Sequence, residues 1–144
     1  MNVDELPVRG WVYGYTYPVC RDVLVDVEGR GYGSAGQLPI KIGETEDTRT
    51  NGADLRVGQQ YKKEQTAMFE TPQILLRHPC RGFHPKQLEH YLHDGLATKQ
   101  MPGLHQRAEW YLTNQEEIYG LIHAFEAARL KHQDESRPAR HGPV

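Results

Sequence analysis

The chain has 144 residues and a mass of 16.5 kDa, with 38% hydrophobic residues, 25% charged residues and a formal net charge of −2. That length suits one domain with a modest core, and no apolar run approaches the roughly 20 residues needed to span a bilayer. A pI of about 6.4 excludes a protein held to nucleic acid by bulk positive charge. A local basic surface is the alternative, and Lys62, Lys63, Arg77, Arg81, Lys86 and Arg107 supply it if the fold gathers them. Scattered solvated charge is the other reading of the same residues. The start, Met1 to Pro7, has neither a basic run nor an apolar stretch, so a cytoplasmic protein is expected. Two cysteines, Cys20 and Cys80, make no disulfide framework and read as free thiols.

Gly10 to Pro18 holds Trp, Val and three Tyr, a composition that predicts a strand. A second extended piece is expected over Arg21 to Val27. Gly29 to Gln37 contains four glycines and a serine, the chemistry of a hairpin connection. Leu38 to Gly43 predicts the next strand, and Thr45 to Gly52 a polar turn. Asp54 to Phe69 is a helix interrupted by Gly58, at about 1 kcal/mol relative to Ala. Ile74 to Arg77 reads as a third strand.

The helix over Pro85 to Leu96 has Pro in its first turn, where the missing N–H costs nothing. Leu88, Tyr91, Leu92 and Leu96 form its apolar stripe. Gln100 to Gln106 is a loop, followed by the short Glu109-Trp110-Tyr111-Leu112 segment. Thr113 or Asn114 caps a final helix with Glu116 and Glu117 in its first turn, and Ile118, Leu121, Ile122 and Phe125 are its buried face. From Lys131 onward little remains to bury, which predicts a disordered tail. The order of elements implies an α+β fold, a small sheet covered by helices. The chain divides into an N-terminal extension (1–9), a domain with its C-terminal helix (10–130) and a tail (131–144).

Gly10-Trp11-Val12-Tyr13, Lys41-Ile42-Gly43, Arg56, Glu89-x-x-Leu92-His93 and Glu109-Trp110-Tyr111 follow one another along the chain. In that order they resemble the GIY-YIG nuclease family, in the phage-type branch whose second motif begins with Lys. The resemblance covers about Gly10 to Leu112. It implies a three-stranded antiparallel sheet flanked by helices, with the two motifs on neighbouring strands. It further implies a metal-dependent endonuclease that hydrolyses DNA phosphodiester bonds with one Mg²⁺, for which Mn²⁺ substitutes.

Under that resemblance Tyr13 is the general base. A free phenol has a pKa of about 10, so it needs a neighbouring cation such as Lys41 to favour the phenolate. Tyr15 and Tyr17 are rivals for the same role. Gly43 ends the second motif where the backbone must turn. Arg56 is the phosphate clamp, with Arg49 in the polar turn as its competitor. Glu89 is the Mg²⁺ ligand, a hard oxygen donor of the right type. His93, one turn on, orients Glu89, contacts DNA or is a satisfied core histidine. Arg107 and Glu109 are candidates for a supporting salt bridge or phosphate contact, and Asn114 for a late polar residue near the metal or a helix cap.

Two other readings stand beside the nuclease. Cys80, His84, His90 and His93 have the donor types of a zinc site, though not a standard spacing. A catalytically inactive nucleic-acid-binding or regulatory module fits the acidic pI, and an interaction domain of the same fold class fits composition alone. A catalytic domain without a recognition module implies a homodimer or a specificity-providing protein partner at the DNA.

Overall fold

The computed structural model describes residues 3–17, 37–64, 71–100 and 110–136, with the backbone alone at 61–64 and 133–136. The expected extended piece at 21–27, the glycine-rich segment at 29–36, Cys20, the loop after Gln100, Arg107, Glu109 and the side chains of Lys62 and Lys63 lie outside the described residues. Four strands, β1 (Val8–Thr16), β2 (Leu38–Thr45), β3 (Gln73–Arg81) and β4 (Trp110–Thr113), form an antiparallel sheet in the order β3-β1-β2-β4. Three helices, α1 (Gly52–Glu64), α2 (Pro85–Gly95) and α3 (Gln115–Ser136), cover it, with short 3₁₀ turns at Val3–Glu5 and Ala97–Lys99. The α+β class expected from the order of elements is the class observed.

The sheet has one strand more than the three expected. Trp110 to Thr113 adds β4 outside β2, pairing Leu38 with Thr113 and Lys41 with Trp110. Strand β3 also runs four residues past Arg77, through Pro79. Proline removes a ladder donor, but β3 is an edge strand and Pro79 lies where its register against β1 shifts, positions that tolerate it. Helix α3 continues to Ser136, six residues into the segment expected to be tail.

Alternation along β1 separates two cores. Val12 joins Ile40, Ile42 and Leu76 on one face, beneath Leu88, Leu92 and Leu96 of α2 and Ile118 and Ile122 of α3. Tyr13, Tyr15 and Tyr17 point to the other face, where Ala53 and Val57 of α1 and Trp110 of β4 close over them. All three tyrosine side chains are buried. Each face therefore has its own chemistry, one aliphatic and the other aromatic.

The helix ends follow local sequence. Gly52 opens α1 because a Cβ there would meet the Asp47 carbonyl oxygen and stand 3.1 Å from the Trp11 ring. His84 caps α2, its Nδ1 accepting the Lys86 backbone N–H at 3.1 Å, with Pro85 in the first turn. Asn114 caps α3, its Oδ1 accepting the Glu117 N–H at 2.8 Å. Replacing Asn114 with Ala removes that acceptor and is expected to lower stability by about 1 kcal/mol. Chemical denaturation of the variant checks it, and an unchanged midpoint contradicts the capping role.

Candidate functional site

The β1–β2 register sets Tyr13 directly opposite Gly43, with Tyr15 opposite Lys41. Directly paired residues share a face, so Tyr13, Tyr15, Lys41 and Gly43 lie together under α1. The Tyr13 ring lies across Gly43. A Cβ on Gly43 would come 2.5 Å from the phenol oxygen and 2.7 Å from Cζ. Glycine is thus required here by space, not by a turn: β2 runs on through Thr45. The expectation that Gly43 ends its motif at a backbone turn is corrected by that continuation.

Lys41 is buried, with its Nζ 5.9 Å from the centre of the Tyr15 ring. Tyr13 and Tyr15 stack with ring centres 6.1 Å apart, and the Tyr15 hydroxyl is 3.0 Å from Gln60 Oε1 of α1. A cation over an aromatic face is attracted by the ring quadrupole, which retains Lys41 inside this tyrosine row. The sequence motif thus becomes one contiguous strip on neighbouring strands.

Arg56 and Arg49 part company. Arg49 is bound through Nε and Nη2 to Asp47, at 2.9 Å and 2.6 Å, while its carbonyl accepts from the Trp11 indole at 2.9 Å. Arg56 donates from Nη1 to Gln59 Oε1 at 3.2 Å, an exposed contact. Ala53 and Val57 face the sheet, and Asp54 reaches Arg77 of β3 at 2.6 Å. At 100° per residue Arg56 projects from the opposite flank of α1, the side toward β2. Of the two arginines, Arg56 is the one carried by the helix that covers the tyrosine face.

Helix α2 approaches the same strand from the other face. Pro85 Cγ stands 2.7 Å from where a Gly10 Cβ would be, a point also against Thr45 and Glu46. Two turns later, His93 Nε2 is 3.2 Å from the Ile42 carbonyl oxygen and its ring stacks on Tyr111, with centres 5.4 Å apart. One stripe of α2 therefore follows β2 from Thr45 to Ile42. Glu89 is midway between Pro85 and His93, at i+4 from each, and so lies on the same stripe of α2. It is half-buried. Tyr13 and Glu89 belong to elements on opposite, helix-covered faces of the sheet, so the register does not bring them together on one face.

Two residues in this region escaped the sequence reading as site members. Arg77 lies directly across from Tyr13 on β3, which only the register reveals. Glu44, opposite Val12, shares the face covered by α2, and its Oε2 is buried with no hydrogen-bond partner among the described residues. An unsatisfied buried polar atom costs about 1–3 kcal/mol, more when charged. Its place immediately after Gly43 was the available signal.

The remaining candidates are accounted for differently. Asn114 is the α3 cap described above. The four donors of the zinc alternative go to separate places: Cys80 is buried in the aliphatic core, His84 caps α2 and contacts Glu46, His93 meets Ile42, and His90 is exposed. Burial pushes the Cys80 thiol up to about 12, so it stays protonated at neutral pH. No group of three or more His, Cys, Asp or Glu fit to hold a metal ion occurs among the described residues. No helix among them is long and apolar enough to cross a membrane. Comparisons with protein-family models, curated proteins and solved structures found no match.

Two outcomes test this geometry. Gly43→Ala drives a methyl group into the rigid, buried Tyr13 ring and is expected to cost about 1–3 kcal/mol of stability. Thermal unfolding checks it, and an unchanged midpoint contradicts the ring placement. The second concerns acid. The Arg49 side chain and backbone N–H hold the Asp47 carboxyl down from 3.8 to about 2. A folded-state value below the unfolded one gives stability that is complete above 3.8 and lost as pH falls toward 2. Asp47→Asn should flatten the stability curve in that window, and an unaltered slope would show that the Arg49 contact contributes nothing there.

Proposed function

We propose that the chain is a divalent-metal-dependent endonuclease of the GIY-YIG type, hydrolysing phosphodiester bonds in DNA. The observation that supports this reading is the placement of the two sequence motifs on neighbouring strands, with Tyr13 directly across from Gly43 and Tyr15 across from Lys41. Strands β3, β1 and β2 are compatible with the three-stranded sheet of this reading, with β4 lying beyond β2.

In this mechanism Tyr13 takes a proton from the attacking water. Its ordinary pKa of about 10 is too high for the task, and the Lys41 ammonium favours the phenolate by direct charge interaction. Arg56 grips the phosphate with its planar fork and stabilises the charge that develops at phosphorus. Glu89 would hold Mg²⁺, a hard cation suited to a carboxylate oxygen. The chemistry such an ion would supply is charge neutralisation at the phosphate and at the leaving oxygen. His93, tied to the Ile42 carbonyl, fixes the part of α2 that carries Glu89. In this reading a homodimer or a specificity-providing protein partner contributes to the choice of DNA site.

A second reading draws on one specific observation. Tyr13 is only 1% exposed, which suits a packed core residue in a module that binds nucleic acid without cutting it. A nicking assay on supercoiled plasmid with Mg²⁺ or Mn²⁺, beside a gel-shift assay in EDTA, separates the two. Cleavage supports the endonuclease, whereas binding without any metal-dependent nicking supports the module. Glu89→Gln should retain the wild-type circular dichroism spectrum and lose cleavage by about 100-fold or more. A Glu89→Gln protein that cuts at the wild-type rate rejects the assignment.

A further inference from the structure

Helix α3 has a second face that the sheet does not use. Inward it sets Ile118 and Ile122 in the aliphatic core, with Leu121 and Phe125 packed against them. At 100° per residue the opposite side is centred on Gly120, Ala124 and Ala127, all exposed. Tyr119 and Leu130 run along one edge of that side, 46% and 44% exposed. Glu116 stands at one end and Lys131 at the other, both exposed. A Cβ on Gly120 would meet nothing within 4 Å, so no contact among the described residues of the protomer requires glycine there. A glycine inside a helix lowers its propensity, and close approach of another backbone is one reason to keep it.

The face is complementary to itself. Lay it antiparallel on a second copy, with a two-fold axis level with the His123–Ala124 bond. Glu116 then comes opposite the partner's Lys131, and Lys131 opposite the partner's Glu116. Gly120 comes opposite the partner's Ala127, so small residues meet where the helices are nearest, at the short end of the usual 8–10 Å or so between axes. Tyr119 and the partner's Leu130 fall on the same edge, about 3 Å apart along the axis, and cover each other. A parallel pairing sets Glu116 against Glu116 and Lys131 against Lys131, and aligns the two macrodipoles unfavourably. An isologous contact needs one operation that matches every pair at once, and this two-fold does so for charge, space and apolar area.

We infer that the outward face of α3 joins two copies of this chain in an antiparallel, two-fold homodimer. This rests on the homodimer arm of the reading above and names its surface, without depending on phosphodiester chemistry. Because α3 packs on the aliphatic face, the pairing leaves α1 and the tyrosine face turned outward on both copies. From Glu116 to Lys131 the helix runs about 22 Å, shorter than a standard interface of about 1,600 Å² would need. Association therefore depends on concentration, and the end charges set its orientation and its sensitivity to salt.

Sedimentation equilibrium of the full chain from about 1 to about 300 μM tests this, with circular dichroism as the folding control. Wild type should show a monomer–dimer equilibrium. Gly120→Gln should fold and raise the dissociation constant about tenfold or more, since its side chain stands where the partner's Ala127 must approach. Glu116→Lys and Lys131→Glu should each weaken the dimer by about threefold or more. Combined, they should return it to within about twofold of wild type. A wild-type chain that stays monomeric overturns the proposal and leaves the face to a different partner. A dimer indifferent to Gly120→Gln, with no rescue between the charge variants, overturns it as well, because the copies then meet elsewhere. If Gly120→Gln does not fold, the charge pair decides alone: rescue upholds the contact and its absence overturns it. Plasmid nicking separates this from the endonuclease reading. A dimer that never nicks leaves the contact standing and removes the enzyme, and a monomer that nicks does the reverse.

Discussion

An aromatic ring laid over a glycine on the neighbouring strand organises this molecule. In an antiparallel pair, directly opposed Cβ atoms stand about 4.5–5.5 Å apart, so two ordinary side chains compete for the space between them. Gly43 leaves that space empty and the Tyr13 ring fills it. The contact fixes register as well as position. A slip of one residue would set Tyr13 against Ile42 or Glu44 and turn every β2 side chain to the other face. The aliphatic core would then lose Ile40 and Ile42, which are both fully buried in it. Hydrophobic burial and the ring–glycine contact therefore demand the same alignment.

From that alignment the rest follows. Lys41 falls among the tyrosines, Arg77 beside Tyr13, and Glu44 on the far face beneath α2. The elements that carry the candidate side chains are strands and helices with packed faces, which place groups more narrowly than loops do. Helix α2 is fastened to β2 at both ends of one stripe, by Pro85 near Thr45 and by His93 at the Ile42 carbonyl. The His84–Glu46 contact adds a third tie, and it holds the Glu46 carboxyl below its usual range. Such a helix cannot slide without breaking a cap, a ring stack and a core. Glu89 is held by what surrounds it.

Much of the fold was legible in local patterns. The tyrosine-rich run of β1, the Leu-x-x-x-Leu stripe of α2 and the acidic first turn of α3 each carry a period or a cap signal that survives in the structure. The fourth strand was not legible, because Trp110 to Thr113 is only four residues long and pairs with the first half of a distant strand. Pro79 hid the end of β3, since a proline in a strand is tolerated only where the edge and the register shift allow it. For the site, the order of motif residues pointed to Tyr13, Lys41, Gly43 and Glu89, but not to their faces. Arg77 and Glu44 became visible only through pairing. Sequence order favoured Arg56 with Arg49 as its rival; in the structure Arg49 is paired with Asp47, while Arg56 on α1 donates to Gln59.

The proposal at the centre is that Glu89, on the α2 stripe that runs along β2, holds a divalent cation. Paramagnetic broadening by Mn²⁺ in a ¹⁵N-labelled sample tests it most directly. At substoichiometric Mn²⁺ the amide signals of Gly43, Glu44 and Glu89 should fade first, with Tyr13 close behind, while those of Leu130 and Lys131 at the far part of α3 stay sharp. Broadening centred on α3, or spread evenly over the chain, would contradict the account.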